Sequence, residues 1–293
     1  MHQHVWPAAF LDALRARREP PRLDGWTLLL AGEPPYAVDP DFHDPVRRAE
    51  QATADGARRV LVGVSAVLGL ADLPPAEAAA LAAAWHDGAL ALPEPFRPWA
   101  TAGLVAPDPG ALRDALERGC VGLEVPATAV ATPDALEDVG GLLEVLERAG
   151  KPLLVHPGPC RPAATAGLPV WWAPVVPYVQ QLHAAWWAWS VAGRAAHPTL
   201  KVCFAALAGL APLHDERRCA RGGDLCAVDP DVFVETSCYG TRAVDATIRS
   251  LGVDVICHGS DRPYAAPTDP GLGAPVTHAL RITNPDRMLG LAA

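Results

Sequence analysis

Short β-branched or apolar runs alternate with Ala-, Leu- and Glu-rich stretches along most of the chain, and this alternation limits the fold more than any other sequence feature. The runs have the length of strands, whereas the stretches between them carry apolar residues at helical spacing, as in βα units with a parallel sheet. Eight runs predict strands, at 2–6, 59–65, 97–103, 121–126, 152–156, 200–207, 232–237 and 255–260. Eight parallel strands close a (β/α)8 TIM barrel, so we predict this α/β fold.

Proline and glycine mark the predicted helices between these runs. Pro75, Pro109 and Pro133 stand where proline is favoured, at helix starts, and Gly119 and Gly150 stand just past two helix ends. Further helical spacing covers 178–196, 242–251 and 284–291. The segment 8–57 is too long for a simple βα connection, so we interpret it as an inserted hairpin or lid after the first strand. Residues 1–293 suit one barrel domain.

Charge and hydropathy exclude several classes of partner. The chain has 24 Lys and Arg against 33 Asp and Glu, a net charge of −9, which disfavours nucleic acid. The longest apolar runs, such as 202–213, are shorter than the ~18 residues of a membrane span, and no signal-peptide pattern opens the chain. Seven cysteines without a CxxC pair suit free thiols. We therefore expect a cytoplasmic protein that acts on a small molecule.

Three histidines and one aspartate stand where barrel strands predict a shared site. His2 and His4 are two residues apart in a predicted strand, so their side chains share a face. His156 ends the fifth predicted strand, and Asp261 follows the eighth. Each has a plain alternative, such as a frayed terminal histidine or a turn aspartate. Together they form a ligand set for Zn²⁺ or Mn²⁺.

The segments around these residues resemble a known family. His2-Gln-His-Val-Trp-Pro, Val155-His-Pro-Gly and Gly259-Ser-Asp-Arg-Pro, in this order, are similar to the amidohydrolase superfamily, in the amidohydrolase-related (amidohydrolase 2) branch that includes aminocarboxymuconate-semialdehyde decarboxylase. The resemblance implies an enzyme with a TIM barrel. It also implies a divalent metal, zinc first and manganese second, bound by His2, His4, His156 and Asp261 at the carboxyl ends of the strands.

The resemblance implies more than one reaction. The first expectation is a metal-dependent hydrolase, in which metal-activated water attacks a lactone, amide or ester and Asp261 acts as the catalytic base. The alternative is a non-oxidative decarboxylase of an aromatic or enoic acid with the same ligands. A third reading is an inactive ligand-binding barrel, because Ala206 stands where the family usually has a histidine after the sixth strand.

Three residues are candidates to replace the histidine missing at position 206. His214 could reach over the mouth from the following loop, although an exposed helix histidine is the plainer interpretation. His183 lies in a Trp-rich helical stretch, which favours the core or a homodimer interface. Glu33 could close over the site from the inserted segment, or be an ordinary loop carboxylate.

Arg262 and the remaining histidines complete the candidates. Arg262 suits an anionic substrate, because its guanidinium binds two oxygens, but it could equally pair with a local acid such as Asp269. Loops or polar helical stretches contain His43, His86, His197 and His278, so we expect these side chains at the surface.

Overall fold

The computed structural model describes residues 2–31, 34–160, 167–169, 171–224 and 228–291. Its strands are β1 (His2–Gln3), β2 (Arg22–Asp24), β3 (Thr27–Leu29), β4 (Tyr36–Ala37), β5 (Val60–Val62), β6 (Phe96–Pro98), β7 (Leu123–Pro126), β8 (Leu153–His156), β9 (Val202–Phe204), β10 (Val232–Glu235) and β11 (Ile256–Cys257). Its α-helices are α1 (Ala8–Ala16), α2 (Pro45–Ala54), α3 (Pro75–Leu90), α4 (Pro109–Glu117), α5 (Pro133–Asp138), α6 (Gly140–Ala149), α7 (Trp172–Val175), α8 (Pro177–Ala188), α9 (Arg194–Ala196), α10 (Asp215–Cys219), α11 (Thr241–Leu251), α12 (Ala274–His278) and α13 (Asn284–Met288).

Eight parallel strands form the barrel wall in two hydrogen-bonded segments. One segment has the order β1-β5-β6, and the other has the order β7-β8-β9-β10-β11. Single parallel bridges, Ala100 to Leu123 and Gln3 to Arg262, join the segments at both seams. The TIM-barrel prediction is confirmed, and each of the eight predicted runs overlaps one barrel strand.

Alternation along the strands separates the apolar core inside the barrel from two apolar clusters outside it. The barrel interior packs around Leu61, Trp99, Leu154, Cys203 and Phe233. Leu154 lies two residues before His156 and shares its face, so this apolar layer forms a floor below the end of β8. The opposite strand faces pack against the outer helices in the two outer clusters. Polar side chains at the strand ends therefore lie above an apolar, buried interior.

Two predicted helices are interrupted. The helix expected from Pro133 to Gly150 divides at Val139 into α5 and α6. The helix expected over 178–196 contains a π-helical turn, Trp189–Gly193, between α8 and α9. The Trp189 ring occupies the space where a Cβ at position 193 would lie, 2.2 Å from ring carbon Cε3, so glycine there admits the tryptophan.

The segment after β1 holds a small sheet. β2, β3 and β4 pair antiparallel, with Leu28 opposite both Leu23 and Tyr36. α1 packs on α3, where the Phe10 and Trp85 rings are 5.7 Å apart. Glu33 lies outside the described residues. Among the described residues, the helices are all too short or too polar to span a bilayer.

Candidate metal centre

The four predicted ligands converge at the carboxyl ends of the barrel strands, which we call the mouth. One donor atom from each of His2, His4, His156 and Asp261 lies within 4.8 Å of the other three. The three imidazole rings are 4.8 to 5.2 Å apart between centroids. We call these residues the four-donor cluster. They come from β1 and the residue just after it, from the end of β8 and from the loop after β11, so only barrel closure brings them together.

His4 turns one ring nitrogen toward the Asp261 carboxylate. Its Nδ1 donates to the Gly63 carbonyl over 2.9 Å, so this nitrogen carries a ring proton. Its Nε2 lies 3.1 Å from Asp261 Oδ1, within hydrogen-bond distance. Burial lowers the pKa of His4, although the Asp261 carboxylate opposes this shift. The Gly63 carbonyl thus orients the ring so that Nε2 faces the centre of the cluster.

His156 faces the same carboxylate oxygen. Its Nδ1 donates to the Pro157 carbonyl over 2.9 Å, and its Nε2 lies 3.9 Å from Asp261 Oδ1. Burial opposes protonation of His156, but the Asp261 and Glu124 carboxylates outweigh it and raise the pKa of the imidazole. Both histidines therefore turn Nε2 toward one oxygen, as ligands of a single ion do.

His2 supplies the third imidazole and has unused nitrogens. Neither its Nδ1 nor its Nε2 has a hydrogen-bond partner among the described residues, although both are buried. The Glu235 carboxylate faces this ring, but its Oε1 is 3.8 Å from Nδ1, too far for a hydrogen bond. A buried polar atom left unpaired costs about 1–3 kcal/mol, which metal coordination would offset. Three imidazoles and one carboxylate fit Zn²⁺ or Mn²⁺.

Asp261 is held in a strained backbone conformation with its two oxygens in different surroundings. Its φ is +58°, and its amide donates to the His2 carbonyl over 3.1 Å. Burial opposes ionisation, but His156 and His4 outweigh it and hold the pKa of the carboxyl well below its usual range. Oδ1 faces these histidines, whereas Oδ2 lies 3.8 Å from the exposed Cys238 thiol. Asp261 can therefore bind an ion and face substrate at once.

Glu235 supports the cluster from β10. It accepts hydrogen bonds from the Ala206 amide over 2.8 Å and from the Ser237 amide over 3.0 Å. Burial opposes ionisation of Glu235, yet His2 and these donors lower its pKa. Gly259 leaves room for this carboxylate, because a Cβ there would lie 1.4 Å from Oε2.

Glu124 occupies a similar position on β7, and the sequence analysis gave it no role. Its Oε1 accepts from the Ala66 amide over 2.8 Å, whereas its buried Oε2 has no hydrogen-bond partner among the described residues. Gly63 makes room for it, since a Cβ there would lie 2.0 Å from Oε2. A glutamate within the otherwise apolar run of β7 was the available sequence signal.

The loop after β9 carries alanine at position 206, where the family that the sequence resembles usually has histidine. Ala206 begins a left-handed turn that continues through Leu207, Ala208, Gly209 and Leu210, with φ between +46° and +61°. The Glu235 carboxylate holds the first amide of this turn. The structure thus keeps an ordered loop here without an imidazole at its start.

His214 and His183 pair with each other rather than with the four-donor cluster. Their rings are 4.9 Å apart, and His183 Nε2 accepts a hydrogen bond from Trp187 Nε1. His214 is exposed, in line with the plainer interpretation of this residue. Among the described residues, neither histidine belongs to the group that could hold an ion.

Arg262 pairs with Asp55, an acid far from it in the sequence, rather than with Asp269. Its Nη2 donates to Asp55 Oδ2 over 3.0 Å, and its carbonyl accepts from the His4 amide over 2.7 Å. The guanidinium is therefore engaged away from the cluster. Tyr264, which the sequence analysis overlooked, lies closer, with its ring 5.5 Å from that of His4. Desolvation and the Asp261 charge raise the pKa of its phenol.

Three of the four histidines expected at the surface are buried instead, whereas His278 is exposed as expected. His43 accepts from the Trp6 amide and stacks on its ring, and burial lowers its pKa to about 3. His86 accepts from the Thr101 amide over 3.1 Å, and burial lowers its pKa to about 4. His197 stacks on Trp189. Each serves as a packing group, which polar neighbours in the sequence concealed.

Comparison with known proteins identifies the fold through solved structures. IDCase from Metarhizium anisopliae superposes with a TM-score of 0.76 at 16% identity, over 99% of this chain and 96% of that one. The 5-carboxyvanillate decarboxylase of Sphingomonas paucimobilis superposes with a TM-score of 0.72 at 17% identity, over 99% of this chain and 98% of that one. A manganese complex of the Novosphingobium aromaticivorans 5-carboxyvanillate decarboxylase superposes with a TM-score of 0.67 at 17% identity, over 87% of this chain and 81% of that one.

These matches confirm the resemblance at the level of fold. An amidohydrolase II structure also matches over nearly the full length of both chains. No family model matches the chain, and no curated protein does. The chain thus has the TIM-barrel fold of the amidohydrolase 2 decarboxylases, with sequences below 20% identity in the structures named here.

Proposed function

We propose that this protein is a metal-dependent, non-oxidative decarboxylase of a small aromatic or enoic acid. The observation that carries the proposal is the convergence of three imidazoles and the Asp261 carboxylate, with one donor atom of each within 4.8 Å of the other three and with both His2 nitrogens lacking a hydrogen-bond partner among the described residues. This arrangement calls for a cation. Among the structural neighbours, aromatic-acid decarboxylases recur, which favours this reaction over the hydrolysis that the sequence analysis put first.

The proposed ligands are His2, His4, His156 and Asp261, with manganese or zinc as the ion. Manganese gains support from its presence in the Novosphingobium structure. When bound, the ion supplies positive charge that holds an anionic substrate and stabilises negative charge on it. The carbonyls of Gly63 and Pro157 fix the tautomers of His4 and His156, so each Nε2 is ready to bind without rearrangement.

Asp261 is the residue we assign to proton transfer. In decarboxylation the bond to the carboxylate breaks, CO₂ leaves, and the electron pair stays on the substrate carbon, which then takes up one proton. Asp261 Oδ2 faces away from the histidines, beside Cys238, and is the atom we assign to pass this proton from solvent water to the substrate carbon. Oδ1 meanwhile stays with the histidines.

Metal analysis tests the ligand assignment. We expect purified wild-type protein, loaded with Mn²⁺ or Zn²⁺ and then dialysed, to retain about one ion per chain, and His156→Ala to retain far less. His183→Ala is the matched control, because it removes an imidazole that pairs outside the cluster. Equal retention in His156→Ala and wild type would contradict the proposed centre.

A substrate panel tests the reaction. We expect the metal-loaded protein to release CO₂ from at least one hydroxylated benzoate or enoic acid, and to place one solvent deuterium on the product in D₂O. Asp261→Asn should lower this rate by at least ~100-fold, as loss of a general acid or base does. Hydrolysis of a lactone, amide or ester with no CO₂ from any acid would contradict decarboxylation. Tight metal binding without turnover of either group would favour the inactive barrel.

A further inference from the structure

The loop 157–159 directly follows the proposed ligand His156 and carries few hydrogen-bonding groups of its own. Pro157 and Pro159 have no amide hydrogen, so Gly158 supplies the one backbone N–H of this loop. The Pro157 carbonyl accepts from His156 Nδ1 over 2.9 Å. This contact sets which ring nitrogen of His156 carries the proton and which one faces the other donors. The position of the Pro157 carbonyl therefore determines how His156 presents Nε2.

A single peptide group links His156 to the helix α8. The Pro157 carbonyl and the Gly158 amide belong to the same planar peptide, so its oxygen and its hydrogen point in opposite directions. The Gly158 amide donates to Oε1 of Gln181, on α8, over 2.7 Å. Because the peptide is planar, a fixed N–H also fixes the direction of the carbonyl oxygen. Gln181 therefore orients the group that holds the His156 ring.

Gln181 holds the loop 157–159 at a second point. Its Nε2 donates to the Pro159 carbonyl over 3.2 Å. A side-chain amide offers an acceptor oxygen and a donor nitrogen, and here each one meets the complementary backbone group. The loop also packs closely on its other side, since a Cβ at Gly158 would lie 2.8 Å from Pro126 Cβ and 3.1 Å from Thr128 Oγ1. Two hydrogen bonds and this close packing thus leave the loop one position.

The helix that carries Gln181 is itself anchored at the mouth. Val179, two residues earlier on α8, packs against Gly209 of the left-handed turn after β9, where a Cβ would lie 2.6 Å from the Val179 carbonyl oxygen. Leu182, the residue after Gln181, is fully buried in the larger outer core. The Gln181 side chain therefore extends from a backbone that is held on both sides, as a positioning residue requires.

We propose that Gln181 is a positioning residue for the metal centre: it clamps the loop 157–159 so that the Pro157 carbonyl holds His156 with Nε2 toward the ion. The inference rests on the proposed function, because the four-donor cluster must bind a metal ion. Gln181 raises the affinity for that ion without touching it, since it acts through the tautomer and the orientation of one ligand.

Ion affinity tests this clamp apart from turnover. Metal-free protein is titrated with Mn²⁺, and the free ion is measured by electron paramagnetic resonance, for wild type, Gln181→Met and Gln181→Leu. Both substitutions remove the two hydrogen bonds at a half-buried position and keep an aliphatic side chain of similar size, so the fold should survive. We expect each to weaken Mn²⁺ binding about tenfold, at the lower end of the loss typical for an outer partner of a metal-binding histidine, because the Pro157 carbonyl remains.

Two further variants separate positioning from a general effect on the fold. Gln180→Met changes an exposed glutamine on the same helix and should bind Mn²⁺ as wild type does. In a His156→Ala background, at higher Mn²⁺ concentration, Gln181→Met should cause no further loss, because the clamp acts through His156. Wild-type affinity in both Gln181 variants, or the same tenfold loss without His156, would overturn the clamp while the proposed function stands. Failure of the wild-type protein to bind Mn²⁺ or Zn²⁺ would instead overturn the proposed function, and the clamp with it.

Discussion

At the scale of single residues, two glycines determine whether the site can form. Gly63 and Gly259 each lie where a Cβ would strike a buried glutamate, Glu124 and Glu235 respectively. Neither glycine has a positive φ, so the requirement here is space rather than backbone freedom. Each glutamate in turn accepts a backbone amide at the start of a mouth loop. The loops around the cluster are therefore anchored through side chains that only glycine neighbours admit.

Replacing Gly259 by alanine should destabilise the protein. The new Cβ would lie 1.4 Å from Glu235 Oε2 and 2.7 Å from Ser237 Oγ, so the carboxylate must move and lose its donors. Overpacking of this kind costs about 1–3 kcal/mol in the free energy of unfolding. Urea denaturation would measure the change. Gly240→Ala is the control, because nothing lies within 4 Å of a Cβ there; equal stability of the two variants would contradict the argument.

Buried His86 should make stability fall in mild acid. Its pKa is about 4 when folded and about 6.5 when exposed in the unfolded chain, so above pH 6.5 it is neutral in both states. Below pH 6.5 only the unfolded chain takes up the proton, and the free energy of unfolding drops by ~1.4 kcal/mol per pH unit until about pH 4.

His86→Gln provides the comparison for this pH dependence. Glutamine keeps an acceptor for the Thr101 amide but does not titrate, so the drop between about pH 6.5 and 4 should be shallower than in wild type. Urea unfolding at a series of pH values would measure both slopes. Identical slopes would show that His86 does not drive the acid sensitivity.

At the scale of elements, the left-handed turn after β9 is the most strained segment of the mouth. Four of its five residues, Ala206, Leu207, Ala208 and Leu210, are not glycine, and left-handed helix costs such residues roughly 1–2 kcal/mol each. Glu235 holds its first amide, and Gly209 packs on the backbone of α8 at Val179. Tertiary contacts thus impose a conformation that local preference opposes, at the place where the related family carries a histidine.

Gly209→Ala should disrupt this turn. Its φ is +59°, and a Cβ would lie 2.6 Å from the Val179 carbonyl oxygen, which belongs to helical backbone and cannot move alone. We expect a loss of about 2 kcal/mol or more in the free energy of unfolding, from strain and overpacking together. Thermal denaturation would compare it with Gly140→Ala, where a Cβ meets open space. Unchanged stability in both would mean that the turn tolerates another conformation.

At the scale of the whole molecule, the four-donor cluster joins the beginning, middle and end of the chain. His2 and His4 belong to β1 and its continuation, at the seam that the Gln3 to Arg262 bridge closes, while His156 lies in the other sheet segment on β8. That seam has a single bridge outside the named strands, with the hydrogen bond from the His4 amide to the Arg262 carbonyl beside it. An ion held by all four residues would tie the two sheet segments together.

Metal binding should therefore stabilise the fold as a whole. At a free ion concentration ~100 times the dissociation constant, the free energy of unfolding rises by about 2.7 kcal/mol. We expect Mn²⁺ or Zn²⁺ to raise the melting temperature of chelator-treated protein, and His156→Ala to abolish that rise. His183→Ala should keep it. If neither ion changed the melting temperature, this result would contradict the proposal that the four-donor cluster of the folded protein binds metal.

Much of this architecture was predictable from local sequence patterns. Each predicted strand run overlaps a barrel strand, because alternation of short apolar runs with helical spacing depends only on neighbouring residues. The convergence of the four-donor cluster was also predictable. His2 and His4 are two residues apart, which puts them on one face of a strand, and strand ends in a barrel share one rim. The sequence analysis gave decarboxylation only as an alternative to hydrolysis. Decarboxylation became the proposed reaction because solved structures with the same fold include decarboxylases.

Other features depended on contacts between distant residues, which no local pattern encodes. Arg262 donates to Asp55, which lies 207 positions away in the sequence. The backbone amides of Trp6 and Thr101 donate to the buried His43 and His86. The rings of Tyr264 and His4 come into contact only when the barrel closes. The sequence by itself determined the elements and the identity of the donors, because periodicity and spacing are local properties. Tertiary structure alone decided which charges are engaged and which atoms remain bare, because hydrogen-bond partners and desolvation are set by neighbours in space.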